Sequence, residues 1–239
     1  MTPLLFAVVA AVGNLLGAAL VVRHARQGMQ VVELFVAFGA GFMAATVILA
    51  MLPEAFDTAG APAFVLAGFL AVHLAQHVLT PHFHFGEETH RIAASAGVSA
   101  LVGLSLHTFF DGVAIASGFL VSGGLGVLVF LAVLLHKLPE GVTMASVMLA
   151  GGQGKRRAMA AAGALGLATI AGVLLTEVMA PLAAHGLAIS AGVTLYVAAS
   201  NLVPEFQAKR GLPTALAFFG GAAAFFAARA LLDRWLTLP

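Results

Sequence analysis

Long apolar stretches, separated by short polar segments, run through the whole 239-residue chain. A helical stretch of about 20 apolar residues is long enough to cross a hydrocarbon core roughly 30 Å thick. The pattern predicts eight transmembrane helices, and the gaps between them leave no room for a soluble domain. We therefore treat 1–239 as one transmembrane domain. The predicted helices are 3–22, 30–52, 60–80, 91–120, 125–150, 157–181, 186–205 and 212–236.

Composition agrees with a chain that lies in lipid. Hydrophobic residues make up 61% of it, charged residues only 9%, and the mean hydropathy is +1.04. Roughly a quarter of the residues of a soluble domain are charged, so a soluble fold is excluded. The net charge of +1 predicts no nucleic-acid partner, and the absence of cysteine excludes disulfides and thiolate sites. The prediction is an all-α integral membrane protein whose main partner is the lipid bilayer.

Basic residues mark alternate loops between the predicted helices. Those near 53–59, 121–124 and 182–185 contain neither lysine nor arginine. The other loops carry Arg23, Arg26, Arg91, Lys155, Arg156, Arg157, Lys209 and Arg210. Cytoplasmic loops are enriched in these residues, which predicts that both termini lie outside a plasma membrane or bacterial inner membrane.

The fourth and fifth predicted helices repeat one pattern, H-x-x-x-[D/E]-G, at an offset of 29 residues. It reads His107 to Gly112 in the fourth helix and His136 to Gly141 in the fifth. A short loop joins the two helices, so they run antiparallel and the repeat is inverted. Transporters commonly bind their substrate near the midplane, between inverted repeats.

The spacing within the pattern predicts a metal site. Residues four apart lie on one face of a helix, so His107 lies over Asp111 and His136 over Glu140. Two imidazoles and two carboxylates form a ligand set suited to zinc or a similar divalent ion. Ionisable groups inside the bilayer are costly and usually functional. The alternative is a buried polar network with a purely structural role.

These segments resemble the ZIP family of zinc and iron transporters. Gly41 to Thr46 in the second predicted helix and Glu177 in the sixth support the resemblance. It implies a bundle with inverted repeats and an elevator-like movement of the fourth and fifth helices. It also implies that the two histidines and two carboxylates bind the transported metal, with Met43 as a thioether ligand and Glu177 beside the site. The substrate implied is zinc, with iron, manganese, cobalt or cadmium as alternatives, and no organic cofactor.

Two positions depart from the family pattern. Many members bind two adjacent metals, through an amide after the first histidine and a carboxylate after the second. Here those positions are Thr108 and Lys137. A protonated amine cannot ligate a cation and repels it. We therefore predict one metal, with Lys137 in place of a second. If Asp111, Glu140 and Glu177 are all ionised, Lys137 and one divalent ion make the loaded site neutral.

Other polar residues form a candidate metal pathway. Glu54 and Glu205 each follow a proline at the end of a predicted helix, where they could attract cations. The histidines near the third helix and the loop after it could receive metal that leaves the pore. They are His73, His77, His82, His84 and His90. A solvated polar loop without this role is the alternative.

Two other functions compete with a metal carrier. An intramembrane zinc-dependent hydrolase would use the metal to activate water, but no H-E-x-x-H signature occurs. A proton-coupled antiporter would use Asp111 and Glu140 as proton carriers, which leaves two matched histidines unexplained. The inverted motif therefore favours a carrier. Small residues along the helices also permit a homodimer.

Overall fold

The computed structural model describes residues 3–23, 29–76, 94–203 and 212–236, and in these ranges the chain forms helices without any strand. We number eight helical rods, and the second and the seventh include a full π-helical stretch. They are α1 (Pro3–Arg23), α2 (Met29–Thr46, then Val47–Met51 and Leu52–Phe56), α3 (Ala61–Leu74), α4 (Ala94–Val121), α5 (Gly123–Ala150), α6 (Lys155–Val178), α7 (Ala180–Tyr196, then Val197–Leu202) and α8 (Leu212–Leu236).

The helical architecture confirms the predicted all-α membrane fold. Among the described residues, seven helices are long and apolar enough to span a membrane, and α3 is a shorter apolar helix. The predicted end of the third helix, at 77–80, lies outside the described residues. So do the predicted starting residues 91–93 of the fourth helix and the end of the seventh at 204–205.

The predicted break between the sixth and seventh helices is wrong. The apolar pattern predicts it at 182–185, but α6 ends at Val178 and α7 begins at Ala180, with only Met179 in an extended conformation between them. Pro181 lies in the first turn of α7. Proline is well suited to that position, because its fixed φ matches a helix and the first turn needs no backbone donor.

The π-helical stretches of α2 and α7 occupy matching places in these helices. Each precedes a proline, and in both helices a glycine lies twelve residues before that proline: Gly41 before Pro53, and Gly192 before Pro204. Proline removes a backbone donor, and a π-helical stretch changes the pairing of the carbonyls before it. The match indicates that α2 and α7 are corresponding elements of a repeat.

Four close helix crossings, each with a glycine from both helices, hold the bundle together. A Cβ atom added to any of these glycines would overlap a backbone carbonyl oxygen of the facing helix. Glycine allows transmembrane helices to approach at this distance. The pairs are Gly17 and Gly141 (α1 with α5), Gly41 and Gly221 (α2 with α8), Gly68 and Gly192 (α3 with α7), and Gly112 and Gly172 (α4 with α6).

The crossings also reveal how the two halves of the chain correspond. Exchanging α1 with α6, α2 with α7, α3 with α8 and α4 with α5 converts every crossing pair into another crossing pair. The same exchange matches the two π-helical stretches and the two H-x-x-x-[D/E]-G segments. The helix packing therefore has the inverted-repeat arrangement expected from the motif.

Helix α5 lies in the centre of the bundle. In the apolar part of α5 that could span a membrane, 72% of the residues are buried, whereas in the corresponding part of α8 only 11% are. Helix α5 packs against α1, α4, α2 and α6. Polar side chains on α5 are thus shielded from lipid by the surrounding helices, which suits a helix that carries ionisable residues.

Candidate metal-binding site

The two motif segments meet between α4 and α5. Only Ser122 separates these helices, and its hydroxyl accepts a hydrogen bond from the backbone N–H of Leu125 at 3.1 Å, which caps the start of α5. This tight turn makes the helices antiparallel neighbours. Their motif residues, halfway along each helix, therefore face one another as the spacing predicts.

The four motif side chains converge on one point. One ligand atom from each of His107, Asp111, His136 and Glu140 lies within 4.8 Å of the other three. All four side chains are buried, with exposures of 3%, 2%, 4% and 7%. Nitrogen and oxygen donors at this mutual spacing are suited to ligating one divalent ion after small adjustments.

Asp111 contacts three other side chains of the cluster through one carboxylate oxygen. Its Oδ2 atom lies 3.2 Å from His136 Nε2, 3.5 Å from His107 Nε2 and 2.7 Å from Lys137 Nζ. Both imidazoles thus present Nε2 to the same carboxylate oxygen. A carboxylate surrounded in this way is held in place before any metal arrives.

The opposite nitrogen of His136 has a fixed role. His136 Nδ1 lies 2.8 Å from the carbonyl oxygen of Ala132, which can only accept, so Nδ1 carries the proton and donates. The Nε2 atom of the neutral ring is then free to bind a metal. Metal-binding histidines almost always donate their other N–H to a carbonyl or carboxylate in this way. This contact fits a metal ligand.

Lys137 places an ammonium inside the cluster. Its Nζ atom lies 2.7 Å from Asp111 Oδ2, 2.7 Å from Glu140 Oε2 and 3.2 Å from Thr108 Oγ1. The Thr108 hydroxyl donates to the other oxygen of Glu140. Lys137 is fully buried. The two positions that depart from the family pattern are therefore in contact, and both interact with Glu140.

Pro139 changes the backbone of α5 beside the site. It has no N–H, so the carbonyl of Leu135 loses its usual helical partner. Gly39 of α2 faces this carbonyl, since a Cβ added there would lie 3.3 Å from the oxygen. The proline thus leaves a polar backbone group at the junction of α2 and α5, one residue before His136.

Met43 and Glu177 occupy different surroundings from the four motif residues. Met43 is fully buried and packs against Val197 and Ala198 of α7, so its ligand role stays a prediction. The structure does not bring Glu177 to the cluster. It lies five residues beyond Gly172, where α6 crosses α4, which is roughly 7.5 Å further along the helix. Its side chain is exposed and lines a cavity.

The candidate pathway residues are only partly described. Glu54 is exposed near the end of α2, and His73 is exposed on α3, with its ring edge-on to Tyr196 at 5.8 Å. The others lie outside the described residues. They are His77, His82, His84, His90 and Glu205.

Asn14 of α1 is a buried polar residue that none of the sequence motifs includes. Its side chain is fully buried, and the backbone of the same residue touches Gly141 of the second motif. The available signal was an amide in the middle of an otherwise apolar stretch, one residue after Gly13. Such residues usually face a helix interface or a polar interior.

Comparisons with known proteins agree with the geometry. A family model described as ZIP Zinc transporter matches residues 86–228. Zinc transporter ZIP9-A of Xenopus laevis is 29% identical over 154 residues, which cover 59% of this chain and 51% of that protein. Zinc transporter ZIP9 of Micropogonias undulatus is 29% identical over 155 residues, which cover 59% and 50%. The matched region thus spans about half the length of these relatives.

Proposed function

Because the chain belongs to the ZIP zinc transporter family, we propose that it carries divalent transition-metal ions, zinc above all, across the membrane toward the cytoplasm. One observation carries the proposal: four buried ligand atoms on α4 and α5 lie within 4.8 Å of one another. Buried ionisable residues at mid-membrane commonly mark a transport pathway. Iron, manganese, cobalt and cadmium are the alternative substrates.

In this proposal His107, Asp111, His136 and Glu140 ligate the metal. The His136–Ala132 contact supports the assignment, because it orients the ring so that Nε2 points toward Asp111. Met43 is proposed as an additional thioether ligand that α2 supplies. Glu54 and Glu205 are proposed to attract cations at opposite ends of the pathway, and the histidines of the third loop to receive them.

The movement proposed for transport is a displacement of α4 and α5 relative to the other helices. These two helices carry all four proposed ligands and are joined by a one-residue turn. A shift of the pair as one body would therefore move the complete site. Both chain termini are proposed to be extracytoplasmic, in a plasma membrane or bacterial inner membrane. The basic residues that begin α6 then lie on the cytoplasmic side.

The test is zinc flux into liposomes that contain the purified protein. Asp111→Asn and Glu140→Gln should each reduce the flux at least tenfold, because the neutral amide loses the charge that attracts the cation. Glu177→Gln is the matched control, since it removes an exposed carboxylate outside the cluster and should leave flux nearly unchanged. Near-normal flux in both Asp111→Asn and Glu140→Gln would contradict the proposal. Hydrolysis of lipids or peptides by the same samples would instead favour an enzyme.

A further inference from the structure

Metal binding at the proposed site requires the Lys137 ammonium to move. The ammonium contacts Asp111 Oδ2 and Glu140 Oε2 at 2.7 Å, and Oδ2 is also the oxygen that both histidines face. Glu177 lies outside the cluster, so two carboxylates and one divalent ion already balance. An ammonium that stayed in contact with both carboxylates would also repel the divalent ion at close range. The displaced ammonium therefore needs another acceptor within the protein.

Helix α1 lies against the side of α5 that carries Lys137. A Cβ added to Gly13 would lie 3.1 Å from Lys137 Cβ. One helical turn further along α5, a Cβ added to Gly141 would lie 2.9 Å from Asn14 Cα. Lys137 and Gly141 share one stripe of α5, because they are four residues apart. Asn14 therefore follows directly after the residue that contacts the base of the lysine side chain.

The amide of Asn14 is available to a new partner. The residue is 0% exposed, and neither Oδ1 nor Nδ2 has a hydrogen-bond partner among the residues that the structure describes. An amide oxygen can accept from an ammonium, and the four-carbon stem of lysine is flexible. A buried polar group without a partner is costly, so a role in a second state of the site would explain it.

At the equivalent crossing of the inverted repeat, between α4 and α6, threonines stand in place of Asn14 and Lys137. The residue three positions before the crossing glycine is Asn14 in α1 and Thr169 in α6. The corresponding motif residues are Lys137 in α5 and Thr108 in α4. Both threonines have partners, since Thr169 donates to its own helix and Thr108 to Glu140. The crossing that carries the cation is thus also the crossing that carries the amide without a described partner.

We propose that Asn14 is the second binding position of the Lys137 ammonium, which it accepts when a metal ion displaces that ammonium from Asp111 and Glu140. The inference rests on the proposed metal site. Lys137 stays protonated throughout and exchanges two carboxylate acceptors for the amide oxygen of Asn14. The side chain of Asn14 is then a positioning residue that lowers the cost of loading the site, without touching the metal.

The test is a double-mutant cycle on zinc affinity, measured by calorimetry on the purified 239-residue chain. Asn14→Leu removes the acceptor at similar volume and should weaken zinc binding about tenfold, as expected for one hydrogen bond to a charged group. In a Lys137→Met background the same change should alter affinity less than about twofold. Ser117→Ala is the control, because Ser117 is also a buried group without a described partner, and should show no coupling to Lys137.

A second variant tests the direction of the effect independently. Asn14→Asp offers the ammonium a carboxylate, so zinc should bind more tightly than to the wild type. The proposal is overturned if Asn14→Leu acts equally in both backgrounds, or if Asn14→Leu and Asn14→Asp shift the affinity in the same direction. If the wild type binds no zinc, the metal site itself fails. If the wild type binds zinc and Asp111→Asn abolishes binding while the Asn14 variants are neutral, only the role of Asn14 fails.

Discussion

The ammonium of Lys137 can be removed without altering a proposed ligand. Lys137→Met deletes the charge and keeps an unbranched, buried side chain. In the wild type, a metal bound by Asp111 and Glu140 must break two ion contacts of 2.7 Å. In the variant it breaks neither of them. We therefore expect the variant to bind zinc more tightly than the wild type does.

The size of the effect follows from two estimates. If the ammonium stayed about 4 Å from a divalent ion, repulsion at an effective dielectric constant of about 20 would be about 8 kcal/mol. Breaking two hydrogen bonds between charged groups costs about 3–6 kcal/mol, so displacement is the cheaper path. The displaced ammonium finds another acceptor, which favours the lower end of that range. A difference of about 3 kcal/mol corresponds to a Kd about a hundredfold lower.

Calorimetric zinc titration and liposome flux measure this directly. Tighter binding should raise flux at zinc concentrations below the wild-type Kd and slow metal release at saturation. Lys155→Met is the control, because it removes an exposed ammonium at the start of α6 and should change neither quantity. Removing one partner of a buried pair typically costs about 3–5 kcal/mol. The metal-free variant should therefore melt at a lower temperature than the wild type, and zinc should restore the loss. Unchanged or weaker zinc binding by folded Lys137→Met would refute the reasoning.

Two further predictions concern stoichiometry and helix packing. Anomalous diffraction from zinc-soaked crystals should show one zinc between α4 and α5 in the wild type and a second zinc nearby in Lys137→Asp. Two fully occupied zincs within a few ångströms in the wild type would contradict a single-metal site. Gly172→Ala should greatly reduce the yield of folded protein, because its Cβ would overlap the Phe109 carbonyl, whereas Gly154→Ala has open space and should not. Size-exclusion chromatography of both variants decides this, and equal yields would show that α4 and α6 tolerate a wider separation.

The proposed ligands could be predicted because their signal is local. A spacing of four residues fixes a shared helix face, and two copies in adjacent antiparallel helices must face each other. The apolar length of each stretch similarly fixes the number of helices. The position of Glu177 relative to the cluster could not be predicted in this way. An acid in an apolar helix signals function, but its height relative to Asp111 depends on where α6 crosses α4. Nothing local to Glu177 in the sequence specifies that crossing.

The crossings themselves could not be predicted from glycine content. The chain has 27 glycines, and the eight crossing glycines are distinguished only by the helix that each one faces. The start of α7 was predictable in principle. Pro181 is a common first-turn residue, but the uninterrupted apolar sequence around it concealed the boundary. Because both helices pack in the same bundle, the junction between them can be short. A short junction needs few polar residues, which would otherwise mark the boundary in the sequence.

The helix crossings allow the two halves of the chain to be aligned with each other residue by residue. Aligning the halves on Gly141 and Gly112 pairs Lys137 with Thr108, and aligning them on Gly17 and Gly172 pairs Asn14 with Thr169. Both differences fall at the same level of the bundle, on helices that touch. Had Asn14 served only to pack α1 against α5, a small residue without unsatisfied polar atoms would suffice there. Its occurrence at the crossing that carries Lys137 therefore argues that the charge and the amide act together.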